Sequence, residues 1–228
     1  MLVLLFLATF VICVCVDVWL TGKEHSGEPA ASGAAGVRPE AVFTGAGELH
    51  RVEGYRVAQR PNYHPGHTWA VVEDGQTMRV GMDDFAQRLV GNVSRIEVPA
   101  VGETVKQGQP CLTLHRGARQ ARMVSPVNGT VIAVNEAIAP TPGVVHEEPY
   151  GKGWLFTVRV ADLKSTVNNL IPRGLVNDWM ASAARALRVK AQAQAALVYQ
   201  DGGEPVSDVI AEVGEERWDQ LTREFFLE

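Results

Sequence analysis

Few residues of this 228-residue chain stand where they could do chemistry. His64 and His67 are spaced His-x-x-His in "YHPGHTW". That spacing could open a metal site, but the sequence places no further ligands nearby, and packing or turn hydrogen bonds account for both rings. Asp83 and Asp84 could form an acid pair. They stand directly before Phe85, where a helical pattern begins, so they read as helix-start carboxylates. Cys13 and Cys15 lie in an apolar N-terminus, and Cys111 has apolar neighbours that suit a buried strand position. No CxxC pair or spaced metal set exists, and nothing asks for a disulfide framework. No Ser-His-Asp order or phosphate loop marks an enzyme. The densest functional set is "HRGARQAR", with His115, Arg116, Arg119 and Arg122 around a turn. Three guanidiniums in one loop favour carboxylates or phosphates on a partner. The same residues also suit a solvated loop.

The elements that must position this tip are short. "CLTL" runs in and "ARMVSPVNG" runs out, so the tip is the end of a hairpin with Ala118 at its apex. From Trp69 to Val160 the chain consists of β-rich runs broken by glycines. Asp74-Gly75 is a hairpin signal. Phe85, Leu89 and Val90 have helical spacing behind the two aspartates. "GWLFTVRV" supplies a closing strand.

The two ends differ from this centre. "MLVLLFLATFVICVCVDVWL" is uncharged from Leu2 to Val16 and predicts a transmembrane helix over residues 1–20, with Trp19 suited to the headgroup belt. Lys23 follows it, which favours a single-pass membrane protein with a cytoplasmic body. Residues 21–60 are rich in Gly, Ala, Glu and Pro at their start and read as a flexible linker. Residues 172–228 read as a helical extension. Leu175, Trp179, Ala183 and Leu187 form one apolar stripe. Trp218, Leu221, Phe225 and Phe226 form another, and Ser207 or Asp208 could cap its first helix. From Asp201 onward there are nine acidic residues against two arginines, whereas the whole chain has a net charge of −5. The body is therefore slightly basic and the tail strongly acidic, which argues against nucleic acid as a partner. These helices could pack on the β-core through opposite charges or bind a partner.

The central segment resembles the H-protein of the glycine cleavage system. "HTWAVV", "VGMDDFAQRLVGNVSRIEVPAVGETV", "SPVNGTVIAVNEA" and "EEPYGKGWLFTV" carry the likeness, in the family's order and spacing, from about Tyr63 to Ile171. The resemblance implies a mainly β fold, a lipoyl/biotinyl-type barrel-sandwich hybrid over residues 61–171. It also implies a hairpin apex whose lysine carries lipoic acid as an amide. Here that position is Ala118, and the family's glutamate position is His115. No lysine occurs between Gln107 and Gly151. Arginine stays protonated and forms no such amide. The expectation is a non-enzymatic, membrane-tethered docking or accessory subunit with no cofactor. Its partners would be the bilayer, through residues 1–20, and one or more proteins in a membrane-associated complex. The alternatives are a true lipoyl carrier moving an aminomethyl group, or a periplasmic adaptor with an unmodified lipoyl-like domain.

Overall fold

The computed structural model describes residues 46–191 and 205–227. The first strands, β1 (Leu49–Val52) and β2 (Tyr55–Ala58), pair as an antiparallel hairpin. The expected linker over residues 21–60 is thereby corrected: its last part is folded. Tyr55 and Val57 are fully buried, and these two apolar side chains give the hairpin a face to anchor. Their spacing is that of a strand, which the Gly- and Ala-rich composition upstream conceals.

The main sheet has the order β3 (Asn62–Tyr63), β4 (Thr68–Asp74), β5 (Thr77–Met82), β11 (Phe156–Arg159), β10 (Gly129–Val134), β7 (Thr104–Val105), with antiparallel pairing throughout. A smaller sheet orders β6 (Arg95–Glu97), β8 (Pro110–Arg116) and β9 (Arg119–Val124). Period-2 burial carries the core: Met78, Val80 and Met82 on β5 face inward, as do Phe156 and Val158 on β11. β4 and β5 meet around Asp74-Gly75 as the sequence predicts; the expected closing strand forms as β11 but lies inside the sheet, between β5 and β10, where it joins the two halves.

Helix α1 spans Asp84–Val90. Asp83 caps it by accepting the Ala86 amide at 2.8 Å, and its other oxygen lies 2.8 Å from His67 Nδ1. The His67 ring stacks on Phe85 with centroids 4.2 Å apart. His64 and His67 are thus buried structural residues, and among the described residues no cluster could hold a metal ion. Asp84 does more than start a helix. Its carboxylate is fully buried and accepts from the Arg56 amide (2.9 Å), Arg56 Nε (2.7 Å), Gln87 Nε2 (2.8 Å) and Arg88 Nε (3.1 Å). Arg56 also donates to the Glu147 and His146 carbonyls of α2 (Val144–Glu147). One carboxylate therefore ties β2, α1 and α2 together.

After α3 (Leu163–Asn168), helix α4 spans Val176–Ala191. It buries Val176, Met180, Ala183, Ala184, Leu187 and Ala191. The expected stripe is rotated by about one position: Leu175 is half exposed, Trp179 is partly buried, and Ala183 and Leu187 hold. The outcome follows from Trp179, which packs sideways against Tyr63 and His67 at 5.9 and 4.7 Å instead of pointing along the stripe. The far end of the expected long helix, past residue 191, lies outside the described residues. Helices α5 (Val209–Val213) and α6 (Trp218–Phe226) complete the chain. Among the described residues no helix is long and apolar enough to cross a membrane, and residues 1–20, the expected anchor, lie outside them.

Removing one partner of a buried ion pair strands the other without solvent. Asp84→Ala should therefore cost about 3 kcal/mol of unfolding free energy, whereas Glu97→Ala at an exposed pair should stay within about 0.5 kcal/mol. Urea titration of both variants checks this, and equal midpoints would contradict the role given to Asp84.

Candidate functional site

The β8–β9 hairpin pairs Arg116 directly with Arg119, so its turn is the two residues Gly117 and Ala118. Gly117 has φ +58°, a conformation that a first turn residue needs here and that glycine adopts without strain. A Cβ added at Gly117 would meet nothing within 4 Å, and Ala118 is exposed. The apex stands clear, as the sequence predicts.

The register divides the four expected tip residues between two faces. Arg116 and Arg119 continue the inward row of Leu112, Leu114, Ala121 and Met123. His115 belongs to the outward row with Thr113 and Arg122. His115 Nε2 lies 3.2 Å from Glu97 Oε1, across from Arg95 on β6. Arg122 is exposed on the outward face. The tip residues therefore do not form one basic cluster.

The inward pair is occupied by the chain's own C-terminus. Arg116 Nη1 donates to both oxygens of Asp208, at 2.8 and 2.7 Å, and to the Val90 carbonyl at 2.7 Å. Its Nε donates to Glu215 at 2.8 Å. Burial works against the Arg116 charge, but the two carboxylates outweigh it and hold its pKa above the ordinary arginine value. Arg119 reaches Glu215 only at 3.6 Å. Asp208 also caps α5 by accepting the Ala211 amide at 3.0 Å. It nests on Gly91, whose φ is +62° and where a Cβ would lie 2.0 Å from the Asp208 carboxyl carbon. Beside this clamp Trp218 Nε1 donates to the Gln120 carbonyl at 3.0 Å, and Lys190 pairs with Glu224 at 2.8 Å.

Apolar burial makes the closure firm. Val209, Ile210, Val213, Trp218, Leu221, Phe225 and Phe226 are all buried, and Phe225 packs 5.0 Å from Phe85. At roughly 1.5–3 kcal/mol for each fully buried large apolar side chain, the set outweighs the polar contacts by a wide margin. The Arg116 clamp sets register, and the apolar face supplies the stability. The C-terminal helices pack on the core with opposite charges meeting, one of the two readings that the charge split allows.

The remaining candidates are inert. Burial pushes the Cys111 thiol up to about 12, with only partial relief from its Ser125 contact, so it is not a thiolate. Cys111 itself is partly buried. Burial also holds His146 below the ordinary imidazole range, partly offset by its bond to the Gly91 carbonyl. Lys106 lies in the turn before β8, at the end of that seven-residue strand away from the apex, which is about 20 Å at the usual strand rise. Lys152 pairs with Glu148 at 2.9 Å. Neither brings an amine to Ala118.

A family model described as glycine cleavage H-protein matches residues 61–181. The glycine cleavage system H protein of Xanthomonas axonopodis pv. citri is 38% identical over 105 residues, covering 46% of this chain and 79% of that protein. The glycine cleavage system H protein of Xanthomonas campestris pv. campestris is likewise 38% identical over 105 residues, with the same coverage. A crystal structure of a glycine cleavage system H protein from Mycobacterium marinum aligns with a TM-score of 0.47 at 23% identity, covering 55% of this chain and 98% of that one.

The geometry ranks the two inward arginines. Arg116→Ala should lower the unfolding free energy by about 2 kcal/mol, because it strands the part-buried Asp208 carboxylate and the Val90 carbonyl. Arg119→Ala, longer and more exposed, should cost less than about 0.5 kcal/mol. Equal losses in chemical denaturation would contradict the asymmetry.

Proposed function

This chain belongs to the glycine cleavage H-protein family, and we propose that it is a docking or accessory subunit that carries no lipoyl group. The observation that carries the reading is Ala118, exposed at the apex of a clear two-residue turn and without an amine. Amide attachment of a carboxylic acid needs a primary amine, and alanine offers none. The hairpin is otherwise kept as a presenting device, with a glycine-led turn and the strand end next to that turn fixed by Arg116. A scaffold that presents a tip without an arm suits recognition better than transfer. The chain is non-enzymatic in this reading. Residues 1–20 tether it to a membrane as a single span, residues 21–45 lead to the folded body, and the body is cytoplasmic.

Partner contact falls to the side of the hairpin that the C-terminal helices leave uncovered. Arg122 and Arg95 are exposed there, with His115 between them in the sheet. An acidic protein surface is the matching chemistry. The second reading is a working carrier of the glycine cleavage system. What favours it is that the relatives are glycine cleavage system H proteins and align over 79% of their length.

Mild-detergent extraction from host membranes, followed by affinity capture and mass spectrometry, tests the proposal. The expected result is membrane-fraction protein recovered with a stoichiometric partner. Arg122→Glu should lower that recovery several-fold while leaving the unfolding free energy within about 0.5 kcal/mol. Recovery alone, as a monomer from the soluble fraction, would contradict it.

A further inference from the structure

We propose that the end of α6 is a latch released by mild acid, with His64 as the group that senses the pH. The latch seats on the turn between β3 and β4, His64-Pro65-Gly66-His67. The His64 carbonyl accepts the His67 amide at 3.0 Å and closes that turn. The Gly66 amide donates to His64 Nδ1 at 3.1 Å. Nδ1 is therefore an acceptor, and the proton of the neutral ring is on Nε2.

Gly66 is where α6 comes in. A Cβ there would lie 2.9 Å from the Phe226 carbonyl oxygen, 2.9 Å from Val124 Cγ2 and 3.3 Å from His64 Nδ1. The last turn of α6, the end of β9 and the imidazole thus meet at one glycine. Phe226 is fully buried in this seat, and the Phe225 ring lies edge-on to His67 with centroids 6.1 Å apart. His67 has φ +61°, uncommon for a residue with a side chain. Such a turn keeps its shape through its contacts. Asp83, Phe85 and Trp179 hold His67, and α6 holds Gly66.

A second proton on His64 must go to Nδ1. It would take the lone pair that the Gly66 amide uses and set two N–H groups against each other. Burial and the nearby His67 both oppose that charge and hold His64 below the ordinary imidazole range. Among the described residues His67 is the titratable group that acts on His64, with Asp83 behind it. At Gly66, α6 and β9 bring a carbonyl and an apolar side chain. With α6 lifted, His64 takes the proton more readily than when it is seated. The latch is therefore at full strength above about pH 6.5 and weakens as the pH falls below that value. One imidazole can weaken it by at most about 30-fold at pH 5.0. The Arg116 clamp lies at the other end of these helices and does not involve His64. Acid thus lifts α6 before α5 and uncovers the side of the hairpin that α6 covers. The latch and the docking proposal stand or fall separately.

Hydrogen exchange of the full chain at pH 7.5 and pH 5.0, read as protection factors, tests this. At pH 5.0 the amides of α6 should lose at least about five-fold in protection, and those of β4 and β5 less than about two-fold. His64→Asn places an amide oxygen where Nδ1 stood and does not titrate, so α6 protection should become independent of pH. His146→Gln should leave the α6 loss in place, which separates His64 from the other buried imidazole beside α1. Should His64→Asn fail to fold, the contrast of α6 with β4 and β5 on the unsubstituted chain and the response of His146→Gln decide the matter. Unchanged α6 protection, equal loss in α6 and the two strands, a full response in folded His64→Asn, or a response abolished by His146→Gln would overturn the proposal.

Discussion

The guanidinium of Arg116 joins parts of the chain that are far apart in sequence. It takes Asp208 and Glu215 from the C-terminal extension and the Val90 carbonyl from the end of α1. A half-desolvated cation in that position is tolerable only because two carboxylates and a carbonyl surround it. This contact decides where the acidic tail lies. It fixes the strand end next to the turn and leaves the two apex residues, Gly117 and Ala118, exposed. The uneven charge of the chain, acidic beyond Asp201 and slightly basic before it, has its physical meaning here. Opposite charges choose the docking register, and Trp218, Leu221, Phe225 and Phe226 hold it.

Much of the fold is legible in the residues, and so is the apex. Asp74-Gly75 marks a hairpin, Asp83 marks a helix start, and Gly117-Ala118 marks the tip because local backbone preferences and the tertiary structure agree there. The division of the tip into two faces is less visible. Strand alternation puts His115 and Arg116 on opposite sides, but that follows only once a two-residue turn is placed between Arg116 and Arg119. The docking cluster of four basic residues is therefore two pairs with different neighbours. Asp208 looks like a plain helix cap from its sequence position, and only the packed chain shows that it also meets Arg116.

Other features depend on contacts between distant segments. Asp84 reads as a cap-side acid, yet it is the buried centre of a network that reaches Arg56, 28 residues earlier. No local pattern encodes that pairing. The β1–β2 hairpin hides behind a linker-like composition, and its strands are only four residues long. Helix α4 turns by about one residue from its expected stripe because Trp179 finds aromatic neighbours on β3 and near α1. In each case tertiary packing selects among arrangements that the local sequence leaves open.

The family core and its additions thus have separate roles. The core keeps a pair of antiparallel sheets, the smaller of which presents a hairpin, the C-terminal helices close one side of that hairpin, and the exposed apex residue has no group to which an arm could attach. The most direct measurement is the intact mass of the full chain isolated from its own host grown with ample lipoate. The account predicts the mass of the unmodified polypeptide. A mass increased by one lipoyl amide, mapped to any residue of the hairpin, would contradict it.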